Sequence, residues 1–231
     1  MQRHFLLQYI FFEELNMKKF CVTIMLLIVM CLPLFACSNS VTHHTSVDEG
    51  DVALLTIFTF DGKGEGKYGL KNLGHSFLSV ENISEDTIKV GKVEVPAGDS
   101  ISIGTWSIKA HFGVWYNVES VYISTCNKYD GRISITAGIN IQDLDTINDF
   151  ILSHDYWTPT NNCSNFALNL WNSVAGDDEE LIRPFIYSPS KISKELVNFE
   201  GYEINKVINT SIDKMFYFDD NDTAKYYSLE V

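Results

Sequence analysis

One cysteine stands where a helix should begin. In the run Thr158-Pro-Thr-Asn-Asn-Cys-Ser-Asn-Phe-Ala-Leu-Asn-Leu-Trp-Asn-Ser-Val-Ala-Gly176, Phe166, Ala167, Leu170, Trp171 and Val174 recur at three- and four-residue steps, the spacing of one buried helical stripe. Pro159, Asn161 and Asn162 precede the stripe, and asparagine is a residue type that caps the free amides of a helix start. A thiol at that point feels the positive end of the helix dipole, which lowers a cysteine pKa from about 8.5 to roughly 3.5–7.5. Cys163 is therefore a candidate nucleophile, although a cysteine is also a small apolar residue that fills cores.

A thiol nucleophile needs a base to take its proton and later an acid for the leaving group, and histidine serves both steps. The body of the chain offers His75, His111 and His154. His75 follows Gly74 at the start of a strand, where the missing glycine side chain leaves room for close approach of a substrate or a helix. His111 lies at a loop-to-strand boundary before Phe112-Gly113, where an ordinary turn residue would also sit. His154 falls at the end of a helix, where the dipole stabilises an imidazolium and a structural role accounts for it.

Ahead of these residues, Met17-Lys-Lys opens an apolar run ending in Leu34-Phe-Ala-Cys37, the pattern of an export signal with Met17 as the true start. Phe20–Ala36 is short for a transmembrane span, which takes about 20 apolar residues. Residues 1–36 are read as a signal peptide, 37–50 as Cys37 with a polar tether, and 51–231 as one domain. His43-His44 in the tether has nothing nearby to complete a metal site. The formal net charge is −13, and loss of Arg3, Lys18 and Lys19 against Glu13 and Glu14 would leave the mature chain more acidic still. Nucleic-acid binding rests on clustered Lys and Arg, so no nucleic-acid partner is expected. No Cys/His group has zinc spacing and no glycine-rich phosphate loop follows a strand, so no cofactor or metal is expected. A Cys126–Cys163 disulfide is left open by the sequence.

Apolar runs and alternation predict strands at Val52–Phe60, Gly74–Asn82, Thr87–Val95, Ile101–Trp106, Gly113–Ser124 and Arg132–Thr136, with the second and third forming a hairpin. Asp61-Gly-Lys-Gly-Glu-Gly66 reads as a solvated loop. Helical spacing follows at Ile141, Leu144, Ile147 and Ile151, then in the Cys163 helix, and Ser188-Pro189 opens a short helix to Val197. One or two strands are expected after Glu203, and Asp219-Asp-Asn-Asp222 reads as a turn rather than a calcium loop. Strands first and helices after predict an α+β class, an antiparallel β-sheet with helices packed on one side.

Gly74-His75-Ser-Phe-Leu at a strand start, with Asn161-Asn-Cys163-Ser-Asn-Phe-Ala downstream at a helix start, resembles the circularly permuted branch of the NlpC/P60 papain-like cysteine hydrolase superfamily, over about Val52–Val197. The end of the leader resembles a bacterial lipoprotein signal, in which Cys37 is acylated. The resemblance implies a permuted papain-like core, Cys163 as nucleophile and His75 as general base. It also implies a third polar residue, usually on the next strand, to orient the histidine. Thr87–Val95 has no His, Asn or Gln, so His111 is the choice for that member and Glu94 stands behind it. By the same resemblance, the protein would be an envelope-anchored hydrolase outside the cytoplasm, held to the membrane through Cys37. It would cleave an amide or peptide bond, peptidoglycan peptides being the favoured substrate. The alternatives are a non-catalytic binding module on the same scaffold, with Trp106, Trp115, Tyr116 and Trp157 lining a groove, or a lipid acyltransferase using the same dyad.

Overall fold

The computed structural model describes residues 48–62, 74–176, 180–181 and 187–228. The leader, Cys37, His43-His44 and most of the Asp61–Gly66 loop lie outside the described residues. In chain order the elements are β1 (Ala53–Phe60), β2 (His75–Asn82), β3 (Ile88–Val90), β4 (Val93–Val95), β5 (Ser100–Ile108), β6 (His111–Tyr116), α1 (Val118–Cys126), β7 (Ile133–Ile139), α2 (Ile141–Ser153), α3 (Cys163–Val174), α4 (Pro189–Leu196), β8 (Glu203–Ile204), β9 (Met215–Phe218) and β10 (Ala224–Tyr227). The class is α+β. Eight strands form one antiparallel sheet in the order β10-β9-β6-β5-β2-β1-β7-β8.

Alternation sorts the two faces of this sheet. Leu78 and Val80 of β2, Ile101 and Ile103 of β5, and Val114 and Tyr116 of β6 join the main core with Leu144, Ile147 and Ile151 of α2, Phe166 and Leu170 of α3, and Ile192 of α4. The intervening residues point the other way. Phe77 packs with Phe58 and Tyr129, and Trp115 packs with Val118 and Val121 of α1 and Met215 of β9. Helices therefore cover both faces, α2 to α4 on one and α1 on the other, rather than one side alone.

Two expected strands are different objects. Thr87–Val95 is interrupted by Gly91, whose φ of +60° suits the first position of a two-residue hairpin turn. Ile88 pairs with Val95 and Val90 with Val93, so β3 and β4 form a small sheet of their own, and β2 pairs with β1 and β5 instead. A side chain at Gly91 would also collide with the Tyr116 hydroxyl and crowd Ile151, so the turn is packed against the core.

The second case is Gly113–Ser124, of which only the first part is strand. Asn117 takes a left-handed φ of 57°, which asparagine tolerates because its short side chain finds local backbone partners. Its Oδ1 accepts from Ser102 N–H at 3.0 Å and its N–H donates to Ser102 C=O at 2.9 Å, so Asn117 completes the last rung of the ladder while the backbone turns into α1. Val118 and Val121, which would face opposite sides of a strand, instead form an i, i+3 pair on one face of a helix. That change of element brings Glu119 to the site.

Candidate active site

Cys163 is the first residue of α3, as its spacing predicts. Asn162 caps the helix, its Oδ1 accepting from Ser164 N–H at 2.9 Å and Asn165 N–H at 3.1 Å. Asn161 holds the preceding loop, donating from Nδ2 to Tyr156 C=O at 2.7 Å. Beneath the cysteine, a chain of hydroxyls ties α3 and α4 to the sheet: Ser164 Oγ lies 3.4 Å from Ser76 Oγ, Ser76 Oγ lies 3.1 Å from Thr59 Oγ1, and Thr59 Oγ1 donates to Pro189 C=O at 3.0 Å. Gly74 meets Pro189 closely, a Cβ there falling 2.8 Å from the proline Cβ, so the room next to His75 is taken by helix α4 rather than left for substrate.

His75 opens β2 and is buried. It hydrogen-bonds Cys163 on one side, and on the other its Nε2 lies 2.8 Å from Glu119 Oε1. With Nε2 engaged by the carboxylate, Nδ1 is the nitrogen available to the sulfur. Glu119 is fully buried at the second position of α1. Its Oε1 also accepts from Trp106 Nε1–H at 2.9 Å, and its Oε2 accepts from Ser102 Oγ at 3.1 Å. A Cβ at Gly104 would strike Glu119 Oε1 and stand 3.5 Å from His75 Nε2, so glycine on β5 is what lets the carboxylate reach the imidazole.

The imidazole thus lies between two groups that carry negative charge when ionised, each placed at a helix start where the dipole favours that charge. Burial is the largest influence on His75 and by itself would lower its pKa, but the charge and hydrogen bonds of Cys163 and Glu119 together outweigh it and raise the pKa to about 9. Burial likewise pushes the Cys163 thiol up. The His75 charge and hydrogen bond, with further hydrogen bonds from Ser76 N–H and Ser164, outweigh that and leave it below the ordinary thiol value. Both directions favour a thiolate–imidazolium pair.

His111 is not brought to this pair. Its Nε2 lies 2.7 Å from Asp155 Oδ1, which also accepts from Val114 N–H at 2.7 Å, and its ring stacks on Tyr217 at 4.6 Å. A Cβ on Gly113 would collide with the same carboxylate. His111 therefore clips β6 to the loop that leads to Cys163, and the carboxylate that His75 meets is Glu119. Glu94 is exposed on β4 opposite Lys89, in the separate small sheet. His154 caps α2 and stacks on Phe150 at 3.9 Å, a structural place. Cys126 and Cys163 are both free thiols. Of the four aromatics offered for a groove, Trp115 and Tyr116 are buried, Trp157 is half-buried, and Trp106 is half-buried with its indole bonded to Glu119.

Glu119 escaped the sequence reading because Gly113–Ser124 looked like one continuous strand, on which position 119 has no reason to meet position 75. An asparagine followed by an acidic residue at the second helical position was the available signal. Asp219 accepts from Asn221 N–H and Thr223 N–H, the turn expected there. Among the described residues, no group of His, Cys, Asp and Glu has the geometry of a metal site, and no helix is long and apolar enough to cross a membrane. No family model, curated protein or solved structure matches the chain.

Proposed function

We propose that this chain is a thiol hydrolase of papain-like design, with Cys163 as nucleophile, His75 as general base and acid, and Glu119 as the residue that orients and charges the imidazole. The observation that carries this reading is the buried His75 held between Glu119 Oε1 at 2.8 Å and the Cys163 thiol at a helix start. A buried histidine between two anionic groups is expensive unless its charge is used. An antiparallel sheet with the histidine on a strand and the cysteine on a later helix also agrees with a permuted papain-like core.

In the proposed reaction the thiolate attacks an amide or ester carbonyl and a C–S bond forms. The proton held by His75 passes to the departing amine or alcohol as the C–N or C–O bond breaks. Water, deprotonated by the now neutral imidazole, then resolves the thioester. Asn162 already occupies the Ser164 and Asn165 amides, so the Cys163 N–H is the helix-start amide at hand for the oxyanion. The leader ending at Cys37 supports an envelope lipoprotein, and that location favours cell-wall peptides as the substrate.

The test is formation of an acyl-enzyme. Incubation with a p-nitrophenyl ester or a cell-wall stem peptide should produce a mass adduct on Cys163 that decays in water, absent in Cys163→Ala and His75→Ala. A protein that binds such peptides equally well as Cys163→Ala and never forms the adduct would instead be a binding module on this scaffold.

A further inference from the structure

Three buried hydroxyls, those of Thr59, Ser76 and Ser164, stand in line beneath Cys163, and the protons they carry give the line a direction. A hydroxyl has one proton to donate and two lone pairs to accept with. Pro189 C=O carries no proton, so the 3.0 Å bond to it takes the proton of Thr59. The 3.1 Å bond between Thr59 and Ser76 then takes the proton of Ser76. The 3.4 Å contact between Ser76 and Ser164 is left to the proton of Ser164.

Of the three, Ser164 has a second acceptor, because its hydroxyl also meets the Cys163 sulfur. Its contact to Ser76 is long against the roughly 2.8 Å of an ordinary O–H···O bond, so that side holds the proton weakly. A thiolate draws the proton far more strongly than a thiol or a thioester, since a hydrogen bond to a charged group is roughly twice as strong as a neutral one. Ser164 is fixed between its two acceptors by its own N–H, which Asn162 Oδ1 holds at 2.9 Å at the start of α3.

We infer that Ser164 is a two-way donor of this site: its proton goes to the Cys163 sulfur while that sulfur is a thiolate, and to Ser76 Oγ when the sulfur is protonated or acylated. The line anchored on α4 gives the proton a resting place, so no stage of the proposed reaction strands a buried donor. The inference rests on the thiol-hydrolase reading and deepens it. The titratable groups about the sulfur are His75 from β2 and, beyond the imidazole, Glu119 from α1 and the Tyr129 phenol after α1. Thr59 of β1 and Pro189 of α4 do not titrate in this range.

The test is the pH profile of Cys163 labelling by iodoacetamide, followed by peptide mass so that Cys126 is counted apart. The sulfur attacks the methylene carbon, a C–S bond forms and iodide leaves with the bonding pair. Ser164→Ala removes the donor and suits a helix, and should move the acid limb up by roughly half to one pH unit, a rate about three- to ten-fold slower near pH 5. Ser76→Ala removes the competing acceptor and should move the limb the other way, down by roughly 0.3 unit. Thr59→Val releases the Ser76 proton to turn toward Ser164 Oγ, which commits the Ser164 proton to the sulfur and should also lower the limb. It serves as the second variant should Ser76→Ala fail to fold, with thermal melts as the check. Loosened packing alone would shift all three variants upward.

A limb unmoved by Ser164→Ala, or one that does not fall in the folded Ser76→Ala or Thr59→Val protein, overturns the inference. With native Cys163 still fast toward iodoacetamide, that result leaves the hydrolase reading standing. A native Cys163 no faster than an ordinary thiol at neutral pH overturns the hydrolase reading, and the inference with it.

Discussion

Glu119→Gln isolates what a single buried negative charge contributes to the site. Glutamine has the shape of glutamate, and with its carbonyl oxygen in the place of Oε1 it can still accept from His75 Nε2 and Trp106 Nε1, while its amide donates to Ser102 Oγ. What is lost is the charge. A hydrogen bond to a charged group contributes about 1.5–3 kcal/mol against about 1 for a neutral one, a difference of about 1–2 kcal/mol, or roughly one pKa unit on His75. Because the imidazolium supports the thiolate, the acid limb of Cys163 alkylation should move up by a similar amount. Between pH 5 and 7 the iodoacetamide rate should then fall by up to about ten-fold. Alanine is the wrong probe here. It strands the Trp106 indole, the Ser102 hydroxyl and the imidazole in a buried place at about 1–3 kcal/mol each, a sum comparable to the 5–15 kcal/mol stability of a whole domain. The assay is Cys163 labelling by peptide mass from pH 5 to 9, with thermal melts to show that the Gln variant is folded. A limb that moves by less than about 0.3 unit in folded protein would show that Glu119 does not charge His75, and the triad assignment would fail.

Other consequences follow from the same geometry. Gly104→Ala should push the Glu119 carboxylate off His75 and slow Cys163 labelling by about ten-fold, roughly the loss of one charged contact, while His111→Gln should lower the melting temperature and leave the labelling profile in place. An effect of His111→Gln on the acid limb would count against its structural role. Asn162→Ala removes a helix cap and should cost about 1 kcal/mol in urea unfolding; no loss would mean that the cap bonds are not made in solution. His75 has a folded pKa of about 9, above the 6.5 of a free imidazole, so its protonation stabilises the fold fully below about pH 6.5 and the stabilisation is lost as pH rises through 9. Because Cys163, held below its ordinary thiol value, contributes with the opposite sign over the same range, the check is made on the histidine itself: the His75 imidazole NMR signals should not titrate between pH 6 and 8, and a midpoint near 6.5 would contradict the raised pKa.

Local pattern determined a good deal of this protein. The helical spacing of Phe166, Leu170 and Trp171 with the asparagines before them placed Cys163 at a helix start. The apolar runs placed β1, β2 and α2, since burial period and capping chemistry act within a few residues and are written along the chain. What tertiary structure decided lies where two distant segments compete for one space. Gly91 turned an expected strand into a hairpin packed under Tyr116, and Asn117 turned the second half of another into the helix that carries Glu119. His111 and Glu119 are both polar residues of the same stretch. Which one faces His75 depended on Gly104 leaving the space on β5 and on Asp155 engaging His111 from another loop. A backbone conformation at one asparagine and the missing Cβ of one glycine have no periodicity, so only the packed sheet, with β2 and β5 side by side, reveals them.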